Sequence, residues 1–583
     1  MRLADFYLIS TSTRAPLRVG LLLDDFTLPK VFQQVVLDIQ KSNFASIELA
    51  ALHQPAESSP KLRAALPLRA WQILKDEKRR RGLLFSWYTK FDSMWNQPEL
   101  DPFEPIDIRK LLNHVPQLSV EPLTKGFTHR FPAQAQAIDA IRAHDLDVLL
   151  RFGFNILRGD VLQSARYGIW SFHHGDNEFY RGGPSHFWEL VEESPLSGVI
   201  LQVLSEELDA GLVLCKSLFA SIPGVSRLRN QWGPYLGSTH MVIRKLHELH
   251  EYGWDSLRSK SLPCGPYLGK RSLYRAPTNA EMFRWLAPTL ASKVLKRAFR
   301  RPAVYHWRIG IRPRETAIDT ALSLGLGKLE FRGFRWLESP RGHFWADPFL
   351  LEYNGTTWLF FEDYRYREKR GIIGVAPIID GGQLGEVRAC LDLGNHVSYP
   401  CVFSYDGEVF MIPETVTTDN IQLHRAIRFP YEWKLEKVLY HTNAVDTTPW
   451  FDGARWWFFT TISEPDGCAV TSMIFSADTL TGQWISHPSN PFCTDVRFAR
   501  NAGAIVTSGG RLFRPSQNCS ERYGRNLSFN EILILNPEQY EERAVVEVLP
   551  DSTRGFIGGH TYNSSGAFEV TDAVKFEPAS RYE

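Results

Sequence analysis

Residues 171–211 read SFHHGDNEFYRGGPSHFWELVEESPLSGVILQVLSEELDAG. The apolar run Gly168–Phe172 predicts a strand that delivers His173 at its end. A turn follows at Tyr180-Arg181-Gly182, then a second strand over Gly198–Leu204, and Leu208-Asp209-Ala210-Gly211 lies in the loop beyond it. α/β sheets place their sites at the carboxyl ends of strands, which is where His173 and Asp209 fall.

The sequence upstream predicts the rest of the sheet. Leu17–Leu23 (LRVGLLL) is continuously apolar, as a strand buried on both faces would be. Pro29–Lys41 carries Val31, Phe32, Val35, Val36 and Ile39 at helical spacing, and Ile47–Leu52 reads as the next strand. This β-α-β opening predicts a doubly wound parallel sheet. The first turn is Asp24-Asp25-Phe26-Thr27, without the Gly-x-Gly-x-x-Gly of a dinucleotide fold, so no nicotinamide cofactor is expected. Helices are predicted over Pro132–Ala143, near Asp160–Ala165 and over Ser238–Tyr252, the last closed by Gly253. Asp147–Phe152 is a further strand and Val213–Ser217 an edge strand. Residues 60–125 read as an insertion, with Trp71 to Arg81 helical.

Size and composition bound the function. A chain of 583 residues is too long for one core. Apolar content of 44% and a net charge of +1 fit soluble domains and give no electrostatic reason to expect nucleic acid. The seven cysteines include no Cys-x-x-Cys pair, so neither a disulfide framework nor a metal site is expected. With no signal pattern and no transmembrane segment, the expected location is cytoplasmic. The basic runs Lys78–Arg81 and Lys296 to Arg301 read as solvated helix ends.

His173, the Tyr180-Arg181-Gly182 turn and Leu208-Asp209-Ala210-Gly211 together resemble the signature of the formyltransferase family. The resemblance implies a catalytic trio on Ser171, His173 and Asp209, with Ser171 standing where the family has Asn. It implies that His174, Asp176, Asn177, Tyr180, Arg181 and Gly182 line the substrate and cofactor site. It also implies 10-formyltetrahydrofolate as formyl donor. Formyl transfer needs a base for the amine proton, donors for the oxyanion and a carboxylate to orient the His.

The second half repeats. Asp347-Pro348-Phe349-Leu350 precedes Trp358–Glu362, Tyr399-Pro400-Cys401-Val402 precedes Val409–Glu414, and Thr448-Pro449-Trp450-Phe451 precedes Trp456–Phe459. Ala502–Ile505 and Arg511–Arg514 form a fourth unit, and Gly558–Lys575 a closing fifth. Each pairs two strands across an Asn-Gly, Asp-Gly or Gly-Gly turn. Pro348, Pro400 and Pro449 are 52 and 49 residues apart. A β repeat near 50 residues predicts a propeller, here with five blades.

Trp345–Pro348, Ser398–Pro400, Ile412–Thr415, Asp446–Thr448 and His560–Asn563 resemble five-bladed propeller glycosidases. They resemble more closely the N-terminal domain of plant glucosamine inositolphosphorylceramide transferases. The resemblance implies that Asp347, Glu414 and Asp446 face the funnel, where paired carboxylates of split pKa serve glycoside chemistry. The expected architecture is multidomain: an α/β formyltransferase-like domain over 1–255, a helical connector over 256–325 and an all-β propeller over 326–583. A Thr278-Asn279-Ala280-Glu281 capping box opens the connector helix. The expected function is formyl transfer to an amino sugar or sugar nucleotide, with the propeller holding a small-molecule glycan. The alternatives are a glycosidase or glycosyltransferase active in the propeller beside a degenerate first domain, and a binding protein with neither activity.

Overall fold

The apolar run Leu17–Leu23 forms β1, buried along nearly its whole length, and Lys30–Lys41 (α1) turns Val31, Val35, Val36 and Ile39 inward against the sheet. The structure is a computed structural model. It describes residues 2–583 apart from 54–80, 97–100, 126–127, 132–135, 263–264, 300–302, 315, 326, 464–469, 580–581 and 583. The chain divides into two units, Leu3–Ala298 and Phe299–Glu583. The expected helix over Trp71 to Arg81 lies almost wholly outside the described residues.

The first unit is built around a seven-stranded sheet, with two small sheets beside it in the chain. Its strands are β1, Ala45–His53 (β2), Gln117–Val120 (β3), Val148–Arg151 (β4), Ile169–His173 (β5), Leu196–Val203 (β6) and Leu212–Ala220 (β7). Their order across the sheet is β7-β6-β5-β4-β1-β2-β3. The strands from β5 to β3 run parallel to their neighbours. The expected all-parallel sheet is corrected at one edge, where β6 runs antiparallel to both β5 and β7. The short loop between β6 and β7 is the reason, because only antiparallel neighbours can be joined without a long crossover. His173 ends β5, as the sequence predicts.

Two more helices of this unit matter below. Leu83–Trp95 (α2) follows the undescribed segment, and Asn279–Phe299 (α3) opens on the expected capping box. Thr278 N–H donates to Glu281 Oε2 at 2.8 Å, and Glu281 N–H returns to Thr278 Oγ1 at 3.3 Å.

Among its described residues the second unit forms five antiparallel-rich sheets. Ala303–Pro313 (β8) pairs along its whole length with Phe568–Pro578 (β24), so the first and last strands of the unit share a sheet. The next three sheets follow the chain. His343–Tyr353 (β9), Thr356–Arg365 (β10) and Arg370–Ile379 (β11) make one, and Ser398–Tyr405 (β12), Glu408–Glu414 (β13), Ile421–Arg428 (β14) and Glu432–Tyr440 (β15) the second. Ala444–Phe451 (β16), Trp456–Ile462 (β17) and Thr471–Ala477 (β18) lead the third. The remaining sheet holds Arg500–Asn501 (β19), Arg511–Asn518 (β20), Asn526–Leu535 (β21) and Tyr540–Leu549 (β22). Tyr562–Ser565 (β23) joins β24. The hairpin turns have the predicted chemistry: Asn354-Gly355, Asp406-Gly407 and Gly509-Gly510 all take positive φ.

One device recurs in the leading strands. β9, β12 and β16 each bulge, at Ala346/Phe349, Ser398/Cys401 and Val445/Thr448. The bulge residues Asp347, Tyr399 and Asp446 are left-handed, with φ of 48°, 44° and 51°. A bulge re-aims the side chain it carries, and a left-handed non-glycine costs about 1–2 kcal/mol, so three in register require compensation. The compensation is a ring of hydrogen bonds between sheets. Tyr399 N–H donates to Asp347 Oδ2 at 3.2 Å, and the Tyr399 and Thr448 hydroxyls meet at 2.8 Å. Asn501 Nδ2 donates to the Asp446 carbonyl at 2.8 Å. Just beyond Asn501, Ala504 N–H donates to Asn563 Oδ1 at 2.8 Å, and Asn563 Nδ2 donates to the Pro348 carbonyl at 2.7 Å. The ring thus returns to β9.

Gly503 sits at one joint of this ring with φ of 130°, where an added Cβ would lie 2.0 Å from the Tyr562 carbonyl oxygen. Gly503→Ala is expected to destabilise the second unit by about 2–4 kcal/mol, and Gly355→Ala, in an open hairpin turn, by only about 1–2 kcal/mol. Denaturant unfolding of the two variants checks this, and equal losses would refute the ring as a structural constraint.

Candidate functional site

The first unit brings His173 and Asp209 of the predicted trio together. His173 Nδ1 lies 3.3 Å from Asp209 Oδ1, and Asp209 Oδ2 accepts from Gly182 N–H at 2.9 Å. The Tyr-Arg-Gly turn and the Asp loop are thereby tied together. The donors, however, face one another. His173 Nε2 is 2.8 Å from the Tyr180 carbonyl oxygen, so both ring nitrogens have partners. Ser171 Oγ accepts from Arg151 Nε at 2.9 Å and donates to the Phe172 carbonyl at 3.0 Å. Ser171 and His173 are both buried.

The neighbours expected to line the pocket have other duties. His174 stacks on Tyr235 with ring centroids 3.6 Å apart, and burial, with His186, His173 and Arg151 nearby, holds it well below the usual histidine pKa. Asp176 pairs with Lys216 Nζ at 2.7 Å. Asn177 is buried, and its carbonyl accepts from Arg181 Nε at 2.9 Å. Tyr180 offers its hydroxyl to Glu192 Oε2 at 3.4 Å.

The second unit gathers acid. Asp347, Glu362, Glu414, Asp446 and Asp572 are all buried, and the cations set among them are Arg500 and His560. Glu362 pairs across from Ala346 and Glu414 across from Ser398, so each stands opposite the residue at the start of a bulge. Arg500 Nε donates to Asp446 Oδ2, and its Nη2 lies 3.2 Å from Glu414 Oε2. Gln517 Nε2 also donates to Asp446 Oδ2 at 3.1 Å. His560 Nδ1 meets Asp572 Oδ2 at 2.5 Å, while its Nε2 is 3.6 Å from Asp347 Oδ1. Trp307 stacks on the imidazole at 4.0 Å. The exposed ring of Tyr523 covers Arg500 at 4.9 Å and meets His560 edge-on at 5.1 Å.

Five carboxyls against two cations leave an excess of negative charge that a buried site does not tolerate, so protons stay on. Burial first, then Asp347 and Glu414, push Glu362 well above the usual carboxylate range. Burial and Asp446 push Glu414 well up against the opposing pull of Arg500. Asp347 is raised by burial, with His560 opposing. Burial works against charging His560, but Asp572 and Asp347 outweigh it and raise its pKa. Asp347, His560 and Asp572 have the spacing of a metal-binding group, which the sequence did not predict. Both imidazole nitrogens already face carboxylates, so the donor set fits a charged Asp-His-Asp bridge better than a cation.

Of Asp347, Glu414 and Asp446, the three the sequence nominated, Arg500 bridges Glu414 and Asp446, and Asp347 lies within electrostatic reach of both. Glu362, Arg500, His560 and Asp572 were missed. A signal existed for three of them, His560 standing in the quoted stretch His560–Asn563. Glu362 ends its strand as Glu414 does in the next repeat, and Asp572 interrupts the apolar strand pattern FEVTDAV. Arg500 had none.

Comparison with known proteins points to this unit. The family model described as glucosamine inositolphosphorylceramide transferase 1, N-terminal, matches residues 338–565. Glucosamine inositolphosphorylceramide transferase 1 of Oryza sativa subsp. japonica is 36% identical over 219 residues, covering 36% of this chain and 29% of the relative. The Arabidopsis thaliana protein of that name is 35% identical over 218 residues, covering 36% of this chain and 28% of the relative. The chain thus spans under a third of the length of the curated relatives it matches. A glycinamide ribonucleotide transformylase 1 from Symbiobacterium toebii aligns at 14% identity and a TM-score of 0.25, covering 40% of this chain and 87% of that one. A family 117 glycoside hydrolase from Zobellia galactanivorans aligns at 10% and 0.31, covering 46% and 91%. At these TM-scores the structural likenesses carry no weight.

The expectation of formyl transfer from 10-formyltetrahydrofolate is therefore corrected. The sequence relatives are named as glucosamine inositolphosphorylceramide transferases, not formyltransferases. The closed hydrogen bonding of Ser171 and His173 is the physical counterpart in this chain.

The raised pKa of Glu362 has a testable sign. A carboxyl whose folded pKa lies above its unfolded value stabilises the fold below the unfolded pKa, and that contribution is lost as pH rises through the folded pKa. Glu362→Gln keeps the neutral form at every pH. Parent and variant are expected to melt alike in acid, and the variant to become the more stable as pH rises from about 4.5 toward neutral. Thermal melts across that range check it, and parallel curves would show that Glu362 stays ionised.

Proposed function

We propose that the five sheets of the second unit are the blades of a five-bladed propeller, and that the acid cluster at its centre is a site for an amino sugar used in glycosyl transfer. The ring of contacts through Asp347, Tyr399, Thr448, Asn501 and Asn563 supports the propeller reading. The observation that carries the functional reading is the excess of buried carboxyls over Arg500 and His560. An ammonium group on the sugar takes the place of protons that these carboxyls otherwise retain. The relatives' name supports the same chemistry, since glucosamine is an amino sugar.

The roles follow from the environments. Glu414, whose carboxyl burial and Asp446 push well above the usual range, is suited to donate a proton. Asp446 is fixed by Arg500 and Gln517, so it orients the guanidinium beside Glu414. Asp347 and Asp572 keep His560 charged between them. The first unit supplies no formyl chemistry in this reading. A purely sugar-binding role is the second reading, favoured by the ion pairing that already occupies Asp446.

Two assays separate these. Calorimetry is expected to show glucosamine binding at least about tenfold tighter than N-acetylglucosamine, whose amide is neutral, with the preference lost in Asp347→Asn. Incubation of the full chain with nucleotide-activated glucosamine and inositolphosphorylceramide is expected to give a glycosylated lipid by mass spectrometry. Glu414→Gln should slow that product by about 100-fold or more. Sugar binding without turnover would establish the binding role, and no discrimination between the two sugars would overturn both readings.

A further inference from the structure

α2 carries two apolar faces, and only one is used. Its inward face is complete. Phe85 meets Phe187 edge-on at 5.2 Å, and Tyr88 meets Trp285 of α3 at 5.7 Å while donating its hydroxyl to the Val225 carbonyl at 2.9 Å. Asp92, the acid of α2, is buried and accepts from Leu228 N–H at 2.9 Å. The outward face consists of Leu84, Trp87, Phe91, Met94 and Trp95, all exposed, with Trp87 at 65% and Trp95 at 77%. Their i, i+3, i+7, i+10 and i+11 spacing puts them on one arc of about 100°.

α3 repeats the arrangement beside it. Leu84 N–H of α2 donates to Asn279 Oδ1 at the start of α3 at 2.9 Å, so the two helices are neighbours. Phe283, Leu290 and Val294 form a second exposed stripe, with Phe283 at 68% and Val294 at 67%. Exposed Arg284 and Lys293 flank that stripe on either side, and exposed Lys90 flanks the stripe of α2. The acid of α3, Glu281, is bound to Arg271 at 2.8 Å and to the capping box.

We infer that these two outward stripes are an interfacial membrane anchor that lies on an anionic lipid surface. The charge pattern decides for this occupant. Exposed tryptophan and phenylalanine seat at the headgroup boundary, cations beside the stripe reach lipid phosphates, and no unpaired acid lies on either described face to oppose them. Among the described residues no helix is long and apolar enough to cross a membrane, so the mode is one of lying on the surface. The inference stands on α2 and α3 alone and is independent of the acid cluster of the second unit.

The test is flotation of the full chain with vesicles of phosphatidylcholine carrying about one third phosphatidylserine, against vesicles of phosphatidylcholine alone. Binding to the anionic vesicles is expected, with a loss of roughly tenfold on neutral vesicles or in high salt. Trp87→Ser with Phe91→Ser, and separately Phe283→Ser with Val294→Ser, should each cut anionic binding by at least roughly tenfold, with the parent's circular dichroism melt retained. Absence of flotation, or undiminished flotation of both double variants, would overturn the anchor. So would a concentration-dependent dimer of the parent that both variants dissolve, which would assign the face to a second copy.

Discussion

One carboxylate, that of Asp347, holds three sheets of the second unit together. It accepts Tyr399 N–H from the next leading strand and Thr561 Oγ1–H from the closing sheet at 2.7 Å, and it faces His560. Asp347 N–H in turn donates to Asp572 on the last strand at 3.1 Å. None of this is reached from a regular strand. The bulge and the left-handed φ at Asp347 turn the side chain out of the pleat, and the same device at Tyr399 and Asp446 turns theirs. The backbone strain and the polar ring are therefore one arrangement, and each requires the other. Pairing of the first strand of the unit with the last then fixes which sheets meet.

The same convergence sets the chemistry. Bringing acids from several strands to one buried place raises their pKa values, because desolvation and mutual repulsion act in the same sense. Arg500 and His560 offset part of that charge, and the raised carboxyl pKa values are the response to the rest. Tyr523 lies over Arg500 and meets His560 edge-on, which gives the cluster an aromatic border.

The first unit teaches a different lesson. Its sheet carries His173 to the end of β5 and Asp209 to the loop after β6, as its strand pattern requires. The residues then satisfy one another. A serine hydroxyl is short enough to be taken up by Arg151, and the imidazole spends its second nitrogen on the Tyr180 carbonyl. A signature can thus be preserved in geometry after its donors have been withdrawn from solvent. The exposed face of α2 is the complementary case, since an apolar stripe read from sequence looks like core whether or not a core covers it.

The sequence alone determined what depends on neighbours within a turn or a hairpin. The buried run at Leu17–Leu23, the capping box at Thr278–Glu281, the Asn-Gly and Asp-Gly turns and the fifty-residue repeat are all legible, because period and turn chemistry are local. Asp347, Glu414 and Asp446 were legible as well, since the repeat marks their positions. Only the tertiary structure decided that β6 reverses, that Glu362, Arg500, His560 and Asp572 join the acid cluster, and which face of α2 is left outside. Asp347 and Asp572 meet across 225 residues of chain, and the charge on each is set by groups that no local pattern brings near. Long-range electrostatics and burial belong to the folded chain, and they assign the chemistry to residues whose positions the sequence had already marked as strands.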